Sequence, residues 1–117
     1  MGVKLVRVFC KQVADPNEDP ITFDVFVDEF NIAQNKCMTF GFMGSPKEDA
    51  ERFLLFALRT TGRLGNGSNT DEPDDTNEAL NPFGKKMNVG EFITYYEDEE
   101  EKTYRIHQVT DLAGAHK

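Results

Sequence analysis

Two carboxylate clusters hold most of the chemistry this chain can offer: Glu97-Asp98-Glu99-Glu100-Glu101 and Asp71-Glu72-Pro73-Asp74-Asp75. Clustered carboxylates can hold a hard cation, work as an acid–base pair or attract a cationic surface. A calcium loop of the EF-hand type needs Asp at alternate positions, a central Gly and a terminal Glu. Asp71, Pro73, Asp75 and Glu78 do not reproduce that order. Zinc is not expected either, because the two histidines, His107 and His116, have no partner at ligand spacing. The thiols of Cys10 and Cys37 lack an activating neighbour in sequence and read as reduced, buried small hydrophobes, a single bridge between neighbouring strands being the alternative.

Phosphate chemistry fares no better. Gly41-Phe42-Met43-Gly44-Ser45 could cradle a phosphate ahead of a helix, but Glu48 and Asp49 would stand in the first turn and repel it. No dinucleotide or phosphate-loop fingerprint is present. Neither a metal nor a cofactor is expected, and no catalytic residue is assigned.

The remaining capacity is electrostatic. The first 63 residues hold nine Asp/Glu against eight Lys/Arg, whereas residues 64–117 hold twelve against five, within a net charge of −8. Such a field repels nucleic acid and anionic membranes and attracts basic surfaces. Lys4, Arg7 and Lys11 fall at intervals of three and four on a strand and so do not share a face; Lys85-Lys86 is an isolated pair. Direct nucleic-acid binding, which releases a run of counterions, is therefore not expected. The strongest apolar stretch, residues 53–58, is too short to span a bilayer. Met1-Gly2-Val3-Lys4-Leu5 has no signal-peptide layout, and position six lacks the hydroxyl residue of a myristoylation site. A cytoplasmic location is the expectation.

The elements that must carry these residues read as one α+β domain spanning 1–117. Residues 3–13 form a strand with Val6, Val8 and Cys10 on one face. Ile21, Phe23, Val25 and Val27 alternate with polar neighbours in a second strand, and Cys37–Met43 form a third with Met38, Phe40 and Phe42 inward. A helix is predicted from Ser45: Ser45-Pro46-Lys47-Glu48 supplies a cap, a proline at the first helical position and a capping-box glutamate. Ala50, Phe53, Leu54, Ala57 and Leu58 follow the spacing of one buried helical face, and Gly62 ends it. Residues 64–90 show neither period and read as a long, flexible acidic loop. Glu91–Tyr96 and Lys102–Val109 read as a hairpin whose tip is the Glu97–Glu101 cluster. The order is βββ-α-loop-ββ, a single helix packed on a mainly antiparallel five-stranded sheet.

The function this implies is a non-enzymatic interaction module that binds a basic protein surface. Its most concrete form is an inhibitor that mimics nucleic acid, as small acidic proteins of phages and mobile elements do. Glu97, Asp98, Glu99, Glu100 and Glu101 would carry the contact, helped by Asp71, Asp74 and Asp75, with Tyr95, Tyr96 and Tyr104 as aromatic anchors. Two other classes stay open: a ligand-binding or catalytic domain with a pocket near His107, Arg105 and Tyr95, and a structural subunit whose edge strand pairs with a neighbour. Oligomeric state is not legible.

Overall fold

In a computed structural model the described residues are 2–15, 17–44, 54–66, 78–97 and 100–112. They form nine strands: β1 (Lys4–Gln12), β2 (Ile21–Val27), β3 (Ala33–Gln34), β4 (Thr39–Met43), β5 (Leu54–Leu58), β6 (Leu64–Asn66), β7 (Ala79–Leu80), β8 (Phe92–Glu97) and β9 (Glu100–Asp111). The sheet order is β6-β5-β4-β2-β1-β9-β8-β7, with β3 appended to β2. Every pairing is antiparallel. The two ends of that path meet. Arg63 bridges Ala79, Leu64 N–H donates to Glu78 O at 2.9 Å and Leu80 N–H donates to Gly62 O at 2.8 Å. The result is a nearly closed barrel.

The core is the set of side chains that point to the axis. Val6, Val8 and Cys10 of β1 lie beside Ile21, Phe23, Val25 and Val27 of β2, then Phe56 and Leu58 of β5, Leu64, Leu80, Ile93, Tyr95, Tyr104 and Ile106. Each fully buried large aliphatic or aromatic side chain contributes about 1.5–3 kcal/mol. On the outer face, Arg7 sits opposite Asp24 and donates to both carboxylate oxygens, at 2.8 and 3.1 Å. An exposed pair of this kind is worth about 0.2–1 kcal/mol.

The α+β expectation is overturned: the described residues contain no helix and form an all-β, nearly closed sheet. Of the predicted helix, 45–53 lies outside the described residues, while Leu54–Leu58 is strand β5. It pairs along five positions with β4 and three with β6. The sequence Leu-Leu-Phe-Ala-Leu satisfies a helical stripe and a strand equally. Tertiary pairing decides between them, because curling the sheet into a barrel buries Phe56 and Leu58 between strands and leaves no face for a helix to cover.

A second correction concerns β4. Its inward residues are Thr39, Gly41 and Met43, which pair with Leu58, Phe56 and Leu54 across β5; Phe40 is exposed. The predicted inward set was Met38, Phe40 and Phe42, out of phase by one residue, and such a shift turns every side chain over. Apolar residues occupy both phases here, so alternation alone cannot choose. The Phe56 ring chooses, since it fills the space over Gly41.

Parts of 64–90, read as loop, are also built into the barrel. They supply β6 and β7 at its seam, and Met87 is buried against the core. The meander of the first strands and the β8–β9 hairpin stand as expected, with β9 running on to Asp111.

Candidate functional site

Strand direction sorts the connections between two rims. The chain leaves β1 and enters β2, leaves β4 and enters β5, leaves β6 and enters β7, and turns from β8 into β9, all at one end of the barrel. By sequence, connections 13–20, 44–53, 67–78 and 98–99 together hold thirteen acidic and two basic residues. Connections 28–38, 59–63 and 81–91 belong to the opposite end and hold three acidic and five basic residues. The charge asymmetry of the sequence is thus also an asymmetry between the connections that start from the two barrel ends.

At the end of the barrel where these connections begin and end there is an opening between the described strands. A cavity of about 270 Å3 lies there, lined on one side by Met43, Leu54, Phe56 and Leu64 and on the other by Glu78, Tyr95 and Glu97. Tyr95 and Tyr104 are buried below it with their rings edge to face, centroids 6.1 Å apart at 86°. Such a contact adds about 0.5–1.5 kcal/mol beyond the area it buries. Burial pushes the Tyr95 hydroxyl up first, followed by the negative charge of Glu78 and Glu97; its proton is donated to the Glu78 carboxylate. Burial likewise raises Tyr104 to about 12, helped by Glu18, Glu97 and Asp19. Lys102 Nζ donates to Glu97 Oε1 at 3.1 Å, and that bond raises the lysine. All three groups, Tyr95, Tyr104 and Lys102, are therefore held in their protonated forms.

Of the residues singled out from the sequence, Asp71, Asp74, Asp75, Asp98 and Glu99 lie outside the described residues. Glu97 faces inward, half-buried, on Lys102. Glu100 and Glu101 are exposed, but Glu100 pairs with Glu97 and Glu101 with Tyr96, so the two point to opposite faces of the hairpin. Tyr95 and Tyr104 are interior. Tyr96 is on the outer face, where its hydroxyl accepts from Asn81 Nδ2 at 3.4 Å. Asp24 is engaged by Arg7. Asp28 accepts from the backbone N–H of Phe30 at 2.9 Å and of Ile32 at 3.0 Å, which makes it a turn residue.

The grouping of His107, Arg105 and Tyr95 does not assemble. Phe9 pairs with Gln108 and Cys10 with Ile106, which leaves His107 as the extra residue of a β-bulge. His107 and Arg105 are exposed outside the barrel, Tyr95 is inside, and the cavity at the opening is lined by neither of the first two. The bulge also returns Val109 to the side of Val8, away from His107. Cys10 is buried, with its thiol raised to about 12 by desolvation, whereas Cys37 is exposed; both are free. Among the described residues no group of three or more His, Cys, Asp or Glu is placed to hold a metal ion. No helix among them is long and apolar enough to cross a membrane.

Comparison with protein-family models, with curated proteins and with solved structures found no match.

Sequence reasoning missed the apolar wall of the opening, because Leu54 and Phe56 were placed on a helix. It also passed over Lys102 as a partner for Glu97. The signal for that pair was present: with Glu97 opposite Glu100 across a tight turn, Lys102 is its diagonal neighbour on the same face, within reach of a long side chain.

Proposed function

We propose that this chain is a non-enzymatic interaction protein that sets its acidic barrel end against a cationic surface of another protein. The sorting of connections carries this reading: strand order gathers thirteen of the acidic residues into the chain segments that begin and end at one rim. Focused fields of one sign speed encounter with an oppositely charged partner and suppress others. An inhibitor that occupies a nucleic-acid-binding groove is the specific form of this reading, carboxylates standing where phosphates would lie.

The test is affinity capture at low salt with the partner identified by mass spectrometry, followed by association kinetics. The association rate should fall steeply as salt rises from about 50 to about 500 mM. A variant carrying Asp98→Asn, Glu99→Gln, Glu100→Gln and Glu101→Gln should lose capture while remaining folded. Undiminished capture by that variant would remove the acidic rim from the mechanism.

A further inference from the structure

Five lysines and arginines stand on strands: Lys4, Arg7 and Lys11 on β1, Lys102 and Arg105 on β9. Three of them are answered by a carboxylate. Lys4 meets Asp111 at 3.4 Å, Arg7 meets Asp24 at 2.8 Å and Lys102 meets Glu97 at 3.1 Å. The two left over face each other, because Lys11 and Arg105 are direct partners across the β1–β9 ladder. Among the described residues neither makes a hydrogen bond or an ion pair. Like charges directly opposite oppose folding. A chain with 21 acidic residues has carboxylates to spare, yet none of the described ones answers this pair.

The surroundings supply the rest of a binding surface. Phe92 of β8 is the direct partner of Arg105 on its other side, which sets an aromatic ring, a guanidinium and an ammonium in one row over three adjacent strands. Arg105 Nη2 reaches to 3.9 Å from the point where a Cβ on Gly90 would stand. Val89 and Phe92, before and after that glycine, are 66% and 52% exposed. The β-bulge leaves His107 and Gln108 exposed together beside the row, two more side chains able to donate. Glu91 is exposed too, and its carboxylate is bonded to neither cation.

We propose that the outer face of β1, β9 and β8 binds a protein partner that presents a carboxylate beside an apolar side chain. The carboxylate lies between Lys11 and Arg105, and the apolar group covers Phe92 and Val89. An anion there removes the repulsion that the fold leaves in place, and a guanidinium can hold both oxygens of one carboxylate. Exposed aromatic residues with an arginine are the composition of interface hot spots. Other occupants fit less well. The row lies on the convex outside of the barrel, which cannot enclose a small molecule. A nucleic acid needs a run of phosphate contacts, and only two cations stand in the row. The net charge of −8 does not forbid the contact, because fields beyond about 8 Å are screened at physiological salt and the local pair decides. This surface is independent of the acidic connections and holds whether or not they dock a partner.

The test uses the intact chain at ~150 mM salt and a random copolymer of glutamate and tyrosine, which carries both required groups. Polyglutamate, a single-stranded DNA oligonucleotide and vesicles of phosphatidylcholine with phosphatidylserine are the comparisons. The copolymer should bind saturably, with NMR shifts centred on Lys11, Phe92 and Arg105. Arg105→Gln and Phe92→Ser should each weaken it about tenfold or more, the scale of a hot spot, and polyglutamate should bind more weakly by a similar factor. Lys11→Gln separates this role from a structural one: it should weaken binding while keeping or raising the melting temperature, because it ends the like-charge pair. No saturable binding of the copolymer overturns the proposal, as does binding that the three variants leave unchanged or that polyglutamate equals. Preferential binding of DNA or of vesicles overturns it in favour of those partners. Self-association that Arg105→Gln abolishes would assign the row to a second copy of this chain and overturn it equally.

Discussion

The Phe56 ring lies directly over Gly41. A methyl group at Gly41 would fall 2.7 Å from Phe56 Cζ and clash with the carbonyl oxygen of Thr22. This contact sets the phase of β4 and locks β5 beside it as a strand.

Gly41→Ala should therefore destabilise the protein by about 1–3 kcal/mol, the usual cost of overpacking. Gly65→Ala provides the contrast. Its new methyl would meet Arg59 Nη2 at 2.7 Å, the far end of a flexible side chain that can move away. Urea melts of the two variants should separate clearly. Equal midpoints would mean that β4 and β5 do not pack as described.

Thiol chemistry should report the same barrel. Cys37 is exposed and should react with an aromatic disulfide reagent in the native state. Cys10, buried and with its thiol raised to about 12, should react only after unfolding. The expected count is one fast thiol in buffer and two in denaturant; two fast thiols in buffer would place β1 outside the core.

Alkaline pH should destabilise the fold through Tyr104 and Tyr95. Both are raised above the usual phenol value, Tyr104 to about 12, so the folded chain keeps protons that the unfolded chain gives up near pH 10. Where the folded state binds more protons, stability falls as pH rises. The stabilisation is complete below about pH 10 and is lost progressively toward pH 12. Tyr104→Phe should flatten that decline in melts taken at stepped pH. An unchanged slope would show that Tyr104 is not the group responsible.

Neutralising the hairpin tip should leave stability level or slightly raised. Glu100 and Glu101 are exposed, and like charges close together oppose folding by a few tenths of a kcal/mol per pair. Glu100→Gln with Glu101→Gln should keep or raise the melting temperature. Glu97→Gln should lower it, because that carboxylate holds Lys102. A fall for all three would give the tip a structural role.

Much of the architecture could be read locally. The first two strands and the β8–β9 hairpin follow from alternation, since period two with one apolar face has few other solutions. The predicted helix failed at Leu54–Leu58 because a short run apolar at nearly every position carries no period, and its partners, β4 and β6, are distant in register or hidden in a segment read as loop. The tyrosines show the same limit. Tyr95 and Tyr104 could be seen to belong to one hairpin, but which side of it faces the axis depends on how the remaining strands close.

The amino-acid sequence alone determined the composition of each connection: where acid accumulates, which turns lack a lysine or arginine, and which strands alternate. These are properties of contiguous residues. Only the tertiary structure decided that the acidic connections share a rim, that Glu97 turns inward to Lys102 and that Leu54 stands at an opening opposite Glu78. Those relations arise from barrel closure through the Arg63–Ala79 bridge, a contact between segments joined by the long acidic connection. Closure is cooperative across the whole sheet, and no window of the chain contains it.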